Sequence, residues 1–278
     1  MHESPKGLEV GYVRHGKAGY RSYAEITGSE NPTKPFEAEH QITPDLMPEG
    51  REAAFREAEA YFDQLDPAQD TMFFVSSNEA RAIETADVYR QVAHMRGFAV
   101  AQHDRTHSSY ANELAGGEIR VLETLSINSK NLVLDYMFNP KAGRATINWE
   151  AVDPETRVQF ERGAAIVEAD PQGTFGANFL KHSEAVKAVV PEAVSAHELY
   201  EKRFRSLLKL VRWAEKKAKQ TVEGGKDVKV LAFGHENAFV YALKEVFEEE
   251  GLNNCEAIEF AVQDGAVTAK YRGKERTL

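Results

Sequence analysis

Short apolar runs that alternate with helix-length amphipathic stretches constrain this chain more than any other feature. The runs LEVGYV (8–13), TMFFVSS (71–77), FAVAQ (98–102) and VKVLAFG (228–234) are continuous rather than alternating, the pattern of strands covered on both faces. Between and around them, residues 48–65, 78–95, 196–220 and 237–251 carry helical patterns. Strand, helix, strand, helix predicts an α/β fold of three layers, α/β/α, with a mainly parallel central sheet. The tail EAIEFAVQDGAVTAKYRG (256–273) alternates with period two and carries QDG as a turn, which predicts a closing hairpin.

The alternation fails between residues 104 and 195. Helical stretches there are interrupted by NPKAGRA, VDPE and DPQGTFG, and the segment is too long for a simple connection. It is read as an inserted, mostly helical cap or lid. Residues 1–103 and 196–278 then make up the core domain.

With 278 residues the chain is long enough for one substantial hydrophobic core. A formal net charge of −10 argues against nucleic acid or an anionic membrane as partner, because both call for an excess of Lys and Arg. An anion site must therefore be a local pocket. The single cysteine, Cys255, the lack of an apolar signal-peptide core in MHESPKGLEV and the lack of a membrane-length apolar run point to a cytoplasmic protein. Oligomeric state is not legible.

In open α/β sheets ligands sit beyond the carboxyl ends of the strands, so residues that follow different apolar runs meet in space. Arg14 and His15 follow the first run, Arg81 lies in SSNEARAIETA after the second, and His235 follows VKVLAFG. Ser76 and Glu79 fit a capping box that would open a helix there, with Arg81 in its first turns. Singly, Arg14 reads as the partner of an acidic loop and His235 as a hydrogen-bonded core histidine. Together, four such groups at strand ends are costly to bury without an anion.

VRHG (13–16), SSNEARAIETA (76–86) and FGHEN (233–237), in that order, resemble the histidine phosphatase superfamily, the group that includes cofactor-dependent phosphoglycerate mutase. ITPDLMPEGREAA (42–54) resembles the family's apolar residue, spacer, glycine and helix. The likeness spans the core on either side of the insertion. It implies a metal-independent phosphatase without cofactor that hydrolyses small phosphorylated substrates through a phosphohistidine on His15. Arg14, His15, Arg81 and His235 would bind the phosphoryl group, with His15 and His235 catalytic. The general acid implied is Glu113, in SSYANELAGGE, with Glu236 as the alternative; Glu118 and Glu123 stay open. A phosphoglycerate-mutase-like phosphotransferase and a non-catalytic phospho-ligand module are the competing functions.

Lys17, Ala18, Gly19, Tyr20 and Arg21 depart from the mutase-like pattern after RHG, which favours hydrolysis; Lys17 and Arg21 are candidates for a second substrate anion. His103, Asp104 and His107 in HDRTH have metal-ligand types without a firm third ligand, and no metal is assigned.

Overall fold

The computed structural model describes residues 8–19, 45–103, 108–122, 125, 132–221, 226–249, 251–263 and 266–278. In chain order the elements are β1 (Leu8–Arg14), α1 (Pro48–Phe62), β2 (Asp70–Ser76), α2 (Ala80–Met95), β3 (Ala99–Val100), α3 (Ser109–Ala115) and β4 (Ile119–Val121). They continue with α4 (Leu132–Asp135), α5 (Pro140–Thr146), α6 (Pro154–Ala169), α7 (Phe175–Val189), α8 (Ala196–Thr221), β5 (Asp227–Gly234), α9 (Val240–Phe247), β6 (Ala257–Gln263), β7 (Ala266–Tyr271) and β8 (Lys274–Thr277).

One 8-stranded sheet runs β3-β2-β5-β1-β6-β7-β8, and β4 also pairs with β2. β1, β2, β3, β4 and β5 pair in parallel, whereas β6, β7 and β8 add an antiparallel edge. The expected hairpin is β6 and β7; its turn residues Asp264 and Gly265 lie outside the described residues. The tail also returns a further strand, β8, through Gly273 at φ 75°.

Successive strand residues point to opposite faces, and this divides the core into two layers. Val10, Tyr12, Phe73, Val75, Val230 and Ala232 pack with Leu207 of α8 and Leu243 of α9. Val13, Met72, Phe74, Leu231 and Phe233 pack on the other face with Ala54 of α1 and Ala86 of α2. Helices thus cover both faces, which is why the strands read as unbroken apolar runs.

A third cluster joins Val133, Met137, Phe138, Phe160, Phe179 and Val186 of the stretch from α4 to α7, and meets the core at Leu199 of α8 and Val240 of α9. This is the mostly helical part of the stretch from 104 to 195. That stretch also contains a piece of the sheet. β4 extends β2 at Phe74 to Ser76, and α3 packs on α2 through Tyr110, Ala111 and Ile83. IRV is too short to register as a strand; only its pairing with β2 makes it one.

The loop after β1 is braced by the start of α1. Met47 N donates to Lys17 O at 2.9 Å and Gly19 N to Asp45 O at 2.8 Å. A Cβ on Gly50 would stand 2.2 Å from Lys17 O, so backbone meets backbone there. Gly50→Ala therefore forces α1 off this loop, with an expected loss of about 1–3 kcal/mol of stability in urea unfolding.

Candidate active site

β2, β5 and β1 are adjacent and parallel, so their carboxyl ends lie side by side. The register sets Arg14 opposite Gly234, which makes His15 and His235 the next residues on neighbouring strands. His15 N donates to Gly234 O at 2.9 Å, and the two imidazole rings meet edge to face with centroids 5.1 Å apart. Each is 3% exposed.

Both rings are held by backbone. His15 Nδ1 lies 2.7 Å from Gly16 O, and since a carbonyl only accepts, Nδ1 carries the proton and Nε2 the lone pair. Gly16 N donates to Thr85 Oγ1 at 3.0 Å, and that hydroxyl donates to Arg81 O at 2.6 Å, tying the β1 corner to α2. On the other strand, the Tyr12 hydroxyl accepts from His235 N at 2.8 Å and donates to His235 O at 3.0 Å. His235 Nε2 shares a hydrogen bond of 3.1 Å with Ser77 Oγ.

Burial pushes the His15 imidazole well below its ordinary range, and the positive charges of Arg81 and Arg14 act in the same sense against a smaller opposing effect of the Gly16 carbonyl. His235 is lowered too, first by burial, then by Arg81, His15, Arg203 and Arg14. Both rings are neutral at pH 7. The resemblance makes His235 a donor when protonated; burial and the neighbouring positive charges hold it neutral in this arrangement.

Arg81 stands in the first turn of α2, but the expected capping box is not formed. Ser76 remains the last ladder residue of β2, opposite both Phe233 and Val121, with its hydroxyl lacking a partner among the described residues. Glu79 is the N-cap instead, in extended backbone, and its carboxylate lies 3.4 Å from Arg81 Nη1. Asp45 reaches the same nitrogen at 3.4 Å. The loop that carries Asp45 is held by buried Glu84, which accepts from Asp45 N at 3.1 Å and Leu46 N at 2.6 Å and also takes the Tyr110 hydroxyl. Arg14 Nη1 pairs with Glu236 at 2.9 Å and also donates to Leu252 O.

Of the two candidate acids, Glu236 lies beside this cluster and Glu113 does not contact it. Glu236 is 21% exposed and paired with Arg14, and burial raises its pKa from the ordinary carboxylate value, outweighing the opposing Arg14 charge. It sits between Gly176, at the start of α7, and Gly251; Cβ atoms there would come within 3.0 Å and 2.7 Å of its carboxyl group. Glu113 is exposed on α3 with no hydrogen bond or ion pair among the described residues. Glu118 is engaged by Arg90 and His94, each at 2.8 Å, and Glu123 lies outside the described residues. Lys17 pairs with exposed Glu49 at 2.8 Å; Tyr20, Arg21, Asp104 and His107 are outside the described residues.

The clamp by Tyr12 and the contacts of Thr85, Ser77 and Asp45 go beyond what the sequence predicts. Ser77 and Thr85 stand inside SSNEARAIETA, so their proximity is within reach of that motif; Tyr12 and Asp45 give no signal apart from position. Among the described residues no group of three or more His, Cys, Asp or Glu is placed to hold a metal ion, and no helix is long and apolar enough to cross a membrane.

No family model matches the chain, and no curated protein matches it. Among solved structures it is similar to a mutant phosphoserine phosphatase from Entamoeba histolytica in complex with phosphoserine, at 13% identity and TM-score 0.42 over 95% of each chain. It is similar to mycobacterial hydrolase 1 at 16% identity and TM-score 0.45, over 98% of this chain and 96% of that one. A mycobacterial glucosyl-3-phosphoglycerate phosphatase matches at 13% identity and TM-score 0.42, over 92% and 91%. Likenesses of this size do not bear on chemistry; the residues above do.

A histidine whose folded-state pKa is depressed contributes stability that is present above its unfolded value of about 6.5 and is lost as pH falls below it. Between pH 6.5 and 5.5 wild type should therefore lose on the order of 1 kcal/mol for each buried ring that stays neutral. His15→Asn and His235→Asn should each flatten that slope in urea unfolding at stepped pH. Slopes identical to wild type would show the rings to be free to protonate.

Proposed function

We propose that this chain hydrolyses phosphomonoesters through a phosphohistidine formed on His15. The observation that carries the reading is the orientation of that ring: a neutral imidazole whose Nδ1 proton is given to Gly16 O, leaving Nε2 as a lone-pair nucleophile beside two guanidinium groups and a second imidazole. Arg14 and Arg81 hold the phosphoryl oxygens in this reading, exchanging Glu236, Glu79 and Asp45 for a stronger anion. An incoming phosphoryl dianion raises the pKa of His235, which then takes a proton and becomes a donor.

Nε2 of His15 attacks phosphorus, the phosphorus–oxygen ester bond breaks, and the leaving alkoxide takes the proton of Glu236. Water then attacks the phosphohistidine, its proton passes to the Glu236 carboxylate, and inorganic phosphate leaves with His15 restored. Fixed donors around the phosphoryl group lower both barriers without solvent reorganisation. Glu236, rather than Glu113, is the acid in this reading, because it lies beside Arg14 at the end of β5 and burial shifts its carboxyl toward the protonated form. The substrate is a small phosphorylated molecule, with α4 to α7 acting as a cap. The single cysteine, buried Cys255, supports a reducing, cytoplasmic setting.

Phosphate release from a panel of phosphomonoesters tests the assignment. His15→Ala should remove activity to the blank. If wild type and His15→Ala are equally inert, the enzyme reading fails; isomerised phosphoglycerate with little free phosphate would indicate the mutase instead. Glu236→Gln should lower kcat on alkyl phosphates by roughly 100-fold or more and far less on 4-nitrophenyl phosphate, whose leaving group needs no proton. Glu113→Gln should stay within about twofold of wild type on both, as expected for an exposed carboxylate.

A further inference from the structure

The Glu236 carboxyl group is seated between two glycine backbones. A Cβ on Gly176, at the start of α7, would come within 3.0 Å of it, and a Cβ on Gly251 would come within 2.7 Å of its Oε1. Both positions keep this seat only while they carry no side chain. Gly251 opens the segment 251–256, which runs along the site towards β6. Leu252 O takes the Arg14 guanidinium, and Asn254 Nδ2 donates to His15 O at 3.1 Å. Cys255 N donates to Arg14 O at 2.9 Å, and Arg14 N donates to Glu256 O at 3.1 Å. One short segment therefore touches the acid, the first arginine and the first histidine.

The other side of this segment is fastened to the antiparallel edge of the sheet. Tyr271, the last residue of β7, is buried with its ring edge to face on Phe247, centroids 5.7 Å apart. Its hydroxyl lies 2.9 Å from Gly251 O and 2.9 Å from Glu256 Oε2. That carboxylate oxygen also accepts from Asn253 N at 2.8 Å and from Arg272 Nη2 at 2.9 Å, whereas Gly251 O has no other donor among the described residues. The one hydroxyl proton is therefore needed most at Gly251. Arg272 and Lys274 each pair with Glu249 at 2.7 Å, which ties β8 and the residues after α9 to the same corner.

Building on the phosphatase reading with Glu236 as its acid, we propose that Tyr271 is a positioning residue: its hydroxyl holds Gly251 against Glu236 and so fixes the carboxyl group beside the phosphoryl site. The Arg14 main chain is held separately, by Cys255 N and Glu256 O, so loss of the hydroxyl shifts the acid and leaves the phosphoryl-binding groups in place. Tyr271 then acts on proton transfer to the leaving group alone. That step is sensitive to small displacements, because the donor must stay within hydrogen-bond reach of the leaving oxygen. The closing hairpin thus bears on the chemistry through one phenol.

Tyr271→Phe removes the hydroxyl and keeps the ring on Phe247, and its kinetics test the assignment on two substrates: the alkyl phosphate turned over fastest by wild type, and 4-nitrophenyl phosphate. The variant should lower kcat on the alkyl phosphate about tenfold with KM within about twofold, and leave 4-nitrophenyl phosphate within about twofold on both constants. In a Glu236→Gln background the same substitution should lower alkyl phosphate turnover by less than about twofold, because the group it positions no longer donates a proton. Equal losses on both substrates, no loss on either, or a tenfold loss repeated in the Glu236→Gln background overturns the proposal. Where Tyr271→Phe does not fold, Gly251→Ala, which presses on the same carboxyl group, decides by the same comparison. A Glu236→Gln variant that loses as much on 4-nitrophenyl phosphate as on the alkyl phosphate, or loses nothing on either, would instead show the acid assignment to be at fault, and the positioning role would fall with it.

Discussion

The parallel pairing of β1 with β5 is the constraint on which the rest of the molecule depends. Because Arg14 is opposite Gly234, the chain places one histidine after each strand at the same level, and no other register would bring the rings to 5.1 Å. Slipping the pair by one residue would move Tyr12 and Val13 to the wrong faces as well, separating Tyr12 from Phe239 and Val13 from the Phe233 layer. The hydrophobic layering that stabilises the sheet is therefore also what aligns the two imidazoles. Tyr12 joins the two roles in one side chain: its ring is core, and its hydroxyl satisfies both backbone groups of His235.

Around that pair the structure gathers cations and then matches them with carboxylates. Arg14 is paired with Glu236 and Arg81 with Asp45 and Glu79, which limits the cost of holding them partly buried. The three carboxylates differ in a useful way. Asp45 arrives on a loop fastened by Glu84, and Glu79 is the N-cap of the helix that carries Arg81. Glu236 follows a histidine at a strand end, has its pKa raised by burial, and lies against Gly176 at the start of α7. Arg203 of α8 breaks the pattern of matched charges: it is buried, and its Nη1 and Nη2 have no hydrogen-bond partner among the described residues.

Much of this is legible in one dimension. The strands β1, β2 and β5, the helices α1, α2 and α8 and the β6–β7 hairpin follow from local periodicity, which requires no knowledge of neighbours. Arg14, His15 and His235 can be picked out because strand ends are visible as the points where apolar runs stop. Other features are not legible, for physical reasons. β4 is three residues long and becomes a strand only through β2, and Ser76 reads as a helix cap because the box motif is local while its place in the ladder is not. The choice between Glu113 and Glu236 turns on burial, since in sequence both are glutamates near a motif.

The sequence by itself determined the class of fold, the layer structure and the set of nitrogen-bearing side chains at strand ends, because each of these is written in short-range patterns of polarity and turn chemistry. Tertiary structure alone decided the protonation of His15 and His235, the pairing of Glu236 with Arg14 and the unmatched burial of Arg203. Those properties come from desolvation and from charges contributed by segments more than a hundred residues apart, such as Arg81 on His235. No pattern along the chain encodes them until the sheet has set those segments side by side.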